Sequence, residues 1–187
     1  LYTTDNTIEV DEDDYDKNKF PGGNSEIKRV VIPEGVLEIQ KYAFYNCTTL
    51  KEVVLPKTLQ YIREYAFSGA TKLETIKTRV TDAGVLSEDG ELGKDTIVIG
   101  AYAFNGCRKL KKINLSRINA IGIRAFQGCS SLTEVNVSTL RNSGREIFKD
   151  CTSLNKVTMN EHTKLSYAMF VNTGFTEIEV YGKVSIP

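Results

Sequence analysis

The side chains in this 187-residue chain that could do chemistry are few: one histidine, His162, and four cysteines, Cys47, Cys107, Cys129 and Cys151. A serine or cysteine nucleophile needs an adjacent base, and only His162 could supply an imidazole. Zinc needs closely spaced soft ligands, yet the sequence holds no Cys-x-x-Cys pair and no histidine near a cysteine. In the acidic run DEDDYDKNKF, Asp11, Asp13 and Asp16 lack the alternating spacing and closing glycine of a calcium loop, so a solvated acidic segment is expected. No Gly-x-Gly-x-x-Gly or phosphate-loop pattern occurs. These absences point away from an enzyme and from any metal or cofactor.

The cysteines instead belong to a repeat. Phe44, Phe67, Phe104, Phe126, Phe148 and Phe170 recur at steps of 23, 37, 22, 22 and 22 residues. Around each lies Ile-x-x-x-Ala-Phe-x-x-Cys-x-x-Leu-x-x-Ile/Val-x-Leu/Val, complete in Ile99, Ala103, Phe104, Cys107, Leu110, Ile113 and Leu115. The second unit carries Ala70 in the cysteine slot, which indicates that small buried volume is required there. A unit of about 22 residues cannot bury an apolar face alone, so successive units must stack and align like residues in interior columns. The alternation at the end of each unit has the period of a half-buried strand. His162 falls in the slot held by Leu59, Ile118 and Leu140, and so reads as a degenerate repeat position.

Stacking also decides the cysteine chemistry. Side chains in one column of a parallel ladder stand about 4.8 Å apart, beyond the ~3.8 Å between β-carbons that a disulfide prefers, so buried free thiols are expected. Three glycosylation sequons, at Asn46, Asn114 and Asn136, are about as many as chance provides.

The unit IGIRAFQGCSSLTEVNV resembles the BspA-type bacterial surface leucine-rich-repeat family, with Pro33 and Pro56 following strands as in that family. Ser116, Ser138 and Asn160 depart from it at the proline position. The resemblance implies a right-handed horseshoe solenoid, a parallel β-sheet on its concave face, short strands or helical turns on the convex face, and little regular α-helix. It also implies a secreted or cell-surface protein, often an adhesin that binds other proteins.

The expected organisation is an irregular, acidic cap over residues 1–26, about six repeat units over 27–180, and over 181–187 either the start of a truncated further unit or a C-terminal tail. The long step places an insertion at 77–97, with Asp89-Gly90 as a turn signal, so Glu88 and Asp89 are candidate contacts.

With Leu50, Val53 and Leu55 facing inward, one outward column reads Glu52, Thr75, Lys112, Glu134, Lys156 and Glu177, alternating in sign from Lys112. A second reads Val54, Lys77, Asn114, Asn136, Thr158 and Glu179. A third contains Tyr42, Tyr65 and Tyr102, then Arg124 and Glu146; its tyrosines could face a partner or pack on adjacent coils. Glu52, Val54, Lys77, Lys112, Asn114, Glu134, Asn136, Lys156, Thr158 and the three tyrosines complete the candidate contact set.

Charge is balanced, 24 Lys+Arg against 24 Asp+Glu, which gives no bulk attraction for nucleic acid or an anionic membrane. No apolar run approaches the ~18 residues needed to span a bilayer, and LYTTDNTIEV has no signal-peptide pattern. The expectation is a monomeric, non-catalytic module that binds a protein partner, such as a host extracellular-matrix or cell-surface protein. The alternative is a structural spacer with no ligand of its own.

Overall fold

The computed structural model describes residues 7–9, 26–79, 86–87, 97–115 and 118–181. Thirteen short strands are present among them: β1 Thr7–Glu9, β2 Arg29–Val31, β3 Glu38–Ile39, β4 Glu52–Leu55, β5 Tyr61–Ile62, β6 Thr75–Arg79 and β7 Leu86–Ser87, then β8 Ile97–Ile99, β9 Ile118–Ile121, β10 Glu134–Asn136, β11 Asn142–Ser143, β12 Lys156–Asn160 and β13 Glu177–Tyr181. No helix occurs among the described residues. Coils are numbered one to six by their phenylalanines, from Phe44 to Phe170.

Most repeats lay one strand on the concave sheet and a short one on the opposite face, so the chain winds into a parallel-stranded β-solenoid of about six turns. The short strands form an unbroken parallel sheet in the order β3-β5-β8-β9-β11. A bulge in it, between Ile97 and Val98, absorbs one extra residue of β9.

The interior is the set of columns that the repeat dictates. Phe44, Phe67, Phe104, Phe126 and Phe148 are fully buried, and Phe170 lies half-buried at the end of the row. Adjacent rings are 5.1 to 5.5 Å apart and within 15° of parallel, from coil one to coil six. Isoleucine, leucine and valine fill the flanking columns, giving one core that runs the length of the solenoid.

Six-residue turns carry the chain past each phenylalanine, and their backbone is satisfied by the next coil instead of by itself. In coil one the N–H groups of Tyr42, Phe44 and Asn46 donate to the carbonyls of Glu64, Ala66 and Ser68 at 3.2, 2.7 and 2.8 Å. Aiming alternate N–H groups along the stack requires a left-handed residue at two places in every turn. The first is Tyr42, Tyr65, Tyr102, Arg124, Glu146 or Ala168, with φ between 52° and 63°. The second is Asn46, Gly69, Gly106, Gly128, Asp150 or Asn172, where glycine and asparagine or aspartate are the residue types that tolerate this backbone best. Gly122 answers a different demand: a β-carbon there would lie 2.4 Å from the backbone nitrogen of Ala101 in the preceding coil.

The concave sheet departs from an unbroken ladder. It divides into β1-β2-β4-β6-β7 and β10-β12-β13, with the third coil joined to the fourth by an isolated bridge from Lys112 to Glu134. The reason is the insertion. β6 runs on through Arg79, so Lys77 to Arg79 belong to the strand, and β7 folds back antiparallel on it through Thr78↔Ser87 and Arg79↔Leu86. β6 and β7 are therefore the two arms of a hairpin, and Asp89-Gly90 lies outside the described residues. Residues 7–9, within the segment read as an acidic cap, add a strand to the ladder by pairing β1 with β2.

Candidate functional site

Between coils three and five the concave strands place their polar columns side by side. Register pairs Glu134 with Lys156 and Asn136 with Thr158, while Lys112 bridges to Glu134. Lys112, Asn114, Glu134, Asn136, Lys156 and Thr158 surround one open depression of about 270 Å³, with the buried Ile113 and Val135 at its floor. A second, of about 280 Å³, lies where the ladder is interrupted and is lined by Glu74, Thr75, Ile76, Lys77, Lys111 and Lys112.

Charge pairing across the face is partly along columns and partly diagonal. Lys112 meets Glu134 at 2.9 Å as the sign alternation implies. Lys156 sits 4.0 Å from Glu177 in its own column but 2.7 Å from Glu179, two residues along, which also accepts from the Thr158 hydroxyl at 3.3 Å. Glu52 is held by Arg29 at 2.6 Å and diagonally by Lys77 at 2.9 Å. Partial burial works against its charge, yet hydrogen bonds from Arg29 and Lys77 outweigh this and keep its carboxyl below the usual range. The diagonal contacts were accessible to the rule that long side chains reach i, j±2 neighbours, which a column-by-column reading does not use.

Val54 corrects the outward assignment. It is fully buried, because its ladder neighbours are Val31 and Lys77, and Lys77 leans toward Glu52 with its side chain only 20% exposed. Val54 therefore belongs to the packed sheet and offers nothing to a partner. Glu88, Asp89 and Ser116 lie outside the described residues.

Tyr42, Tyr65 and Tyr102 stand apart on the turns, at the left-handed position. Their rings stack at 5.0 and 4.8 Å, with 18° and 5° between planes. Mutual packing pushes the Tyr65 phenol above its ordinary pKa, with the neighbouring Tyr102 and Tyr42 adding to the effect. Tyr45, which the repeat pattern did not single out, packs edge-on against Tyr42 at 5.6 Å. Farther along the same column, Arg124 Nε and Nη2 both lie 2.6 Å from Glu146 Oε2. Lys149 and then Arg124 hold that carboxyl below its usual range.

The residues with nucleophilic potential are elsewhere. All four cysteines are buried thiols outside any disulfide. Burial pushes the Cys107 and Cys129 thiols far above their ordinary pKa, so neither supplies a thiolate near neutral pH. His162 is exposed, with Nε2 3.4 Å from Glu161. Among the described residues no group of three or more His, Cys, Asp or Glu side chains is placed to hold a metal ion.

Repeat signature, column register and parallel-stranded solenoid agree with one family. BspA type leucine rich repeat regions, in six copies, match residues 16–84 and 87–186. The chain belongs to this BspA-type leucine-rich-repeat family. Among curated proteins none matches. Among solved structures, the chain is similar to the leucine rich repeat protein of T. pallidum, TpLRR. The two share 25% identity over 96% of this chain and 77% of that one, with a TM-score of 0.62. A leucine-rich repeat protein from Eubacterium ventriosum shares 20% identity over 83% of this chain and 52% of its own, with a TM-score of 0.44. A leucine rich cell surface protein from Faecalibacterium prausnitzii shares 20% identity over 85% and 61%, with a TM-score of 0.39. BspA-type repeats are commonly protein-binding or structural.

Proposed function

We propose that this chain is a non-catalytic, secreted or cell-surface module that binds a protein partner, as a monomer, through the concave face of coils three to five. The observation that carries the reading is the convergence of six polar side chains, Lys112 to Thr158, around one open depression floored by Ile113 and Val135. Family membership supports it, since a stacked repeat offers an extended surface for recognition. The face has few aromatic anchors, so affinity would be modest for a single module and would grow by avidity.

Surface plasmon resonance against immobilised extracellular-matrix proteins tests this. Wild type should bind at least one, and a variant with Lys112, Asn114, Glu134 and Asn136 all changed to alanine should lose that binding while keeping its melting temperature within a few degrees. Unaltered binding by the variant would reject this surface. A spacer role is the second reading, favoured by ion pairs that already satisfy most charges on the concave columns. It predicts no ligand for the isolated chain, but lost adhesion when coils are deleted from a parent protein.

A further inference from the structure

Several charges on this solenoid are matched to a neighbour: Arg29 and Lys77 to Glu52, Arg63 to Glu38, Arg124 to Glu146, Lys112 to Glu134 and Lys156 to Glu179. One edge gathers cations that are not. Where each turn feeds into its concave strand, Lys51, Lys72, Arg108, Lys109 and Lys111 are all exposed. Among the described residues none of the five makes an ion pair.

Lys72 and Lys109 occupy the same slot in coils two and three, counted from Leu73 and Leu110. Coils at this edge are closely stacked, since Gly69 N donates to Asn105 O at 2.8 Å and Cys107 Sγ to Phe67 O at 3.3 Å. Equal charges in adjacent rungs cost stability in a folded protein standing alone. Glu74, exposed between Lys51 and Lys111 in their column, is the one carboxylate in these slots. Five cations against one anion is a strong local excess in a chain balanced at 24 and 24. Leu110, fully buried, anchors the middle of the run Arg108-Lys109-Leu110-Lys111, leaving its cations outside.

We propose that this edge binds a sulfated linear glycan across coils one to four. Two features favour a glycan over an acidic protein segment. The slots around the cations carry hydroxyls, Thr48, Thr71, Ser130 and Ser131, which suit a hydroxyl-bearing polymer. They also carry none of the aromatic or aliphatic side chains that anchor protein interfaces. Arg108 can grip a sulfate through two N–H groups, and the lysines act as point charges along the chain. The site is distinct from the concave depression and does not depend on that reading.

The test is isothermal titration of the full chain with a heparin dodecasaccharide at two salt concentrations. Wild type should bind, more weakly at the higher salt. Replacing Lys72, Arg108, Lys109 and Lys111 with glutamine should weaken binding about ten-fold or more. Replacing Lys41, Lys57, Arg145 and Lys164, an equal charge change elsewhere, should leave it unaltered. The double variant K109Q/K111Q should show an intermediate loss, which guards against misfolding of the quadruple one. The proposal is overturned if wild type does not bind, if both quadruple variants lose affinity equally, if desulfated heparin binds as well, or if a polyglutamate peptide competes equally.

Discussion

Cys129 donates its thiol hydrogen to the backbone carbonyl of Phe104, one coil away, at 3.2 Å. The same carbonyl accepts the N–H of Cys107 from its own coil at 3.2 Å. Cys107 repeats the contact to Phe67 at 3.3 Å and Cys151 to Phe126 at 3.1 Å. The cysteine slot thus needs small volume and also uses a weak donor to a carbonyl buried beside the phenylalanine row. Cys129→Ala, which leaves a small void and removes that donor, should lower stability by about 1–2 kcal/mol. Urea denaturation of wild type and variant measures the difference.

The thiols of Cys107 and Cys129 make stability fall in alkali. Their folded pKa lies above the unfolded value near 9.0, so the unfolded chain loses protons first as pH rises. It then binds fewer protons than the native state, and the unfolding free energy drops. Their contribution should be fully present below pH 9 and should decline above it by about 1.4 kcal/mol per thiol per pH unit. A C107A/C129A variant should have a flatter stability profile between pH 9 and 10.5. A thiol reagent at pH 8 should label none of the four cysteines until denaturant is added.

Truncating the ring at the centre of the row should be severe. Phe126 is fully buried between Phe104 at 5.2 Å and Phe148 at 5.5 Å, and Phe126→Ala should cost roughly 3–5 kcal/mol. Differential scanning calorimetry should record a large drop in melting temperature. An unchanged melting temperature would contradict the column.

Much of this was legible before any coordinates. The phenylalanine spacing, the Ile, Leu and Val slots and the polar columns are written directly into a 22-residue period, because every coil solves the same packing problem. The left-handed turn position was not, since Tyr42, Tyr65, Tyr102, Arg124 and Glu146 share no residue type that advertises a positive φ. Val54 read as outward because strand alternation assigns it there, and its burial depends on Val31 and Lys77 in other coils. The broken sheet was equally hidden: it arises from an antiparallel pairing between residues 78–79 and 86–87 that no repeat position announces.

Ala168 gives a direct way to weigh that backbone. It holds the left-handed position of coil six with φ 55° and has no long side chain whose packing would be lost. Ala168→Gly should therefore stabilise the protein by about 0.5–1 kcal/mol, relief of steric strain exceeding the added flexibility of the unfolded chain. Thermal denaturation of the single variant is sufficient, and a lower melting temperature would count against strain at this site.

Glu52 should carry an acid-sensitive share of stability. Its carboxyl is held below the usual range between Arg29 and Lys77, so its contribution is present above pH 4.5 and is lost as pH falls through its lower folded value. Glu52→Gln should cost about 0.5–1 kcal/mol at pH 7. The gap between wild type and variant should narrow as pH falls below 4.5 in parallel denaturant titrations.

The interrupted concave ladder implies that the array does not melt as one unit. In a linear stack each coil is coupled only to its nearest neighbours, so a boundary with fewer shared main-chain bonds is where fraying can start internally. Between coils two and three that coupling rests on the turn side, through the Phe67 and Phe104 rings and the β5 to β8 pairing. Amide protons of Lys111 to Asn114 should exchange with deuterium sooner than those of Val135 or Val157 at the same depth, splitting the solenoid into two cooperative blocks.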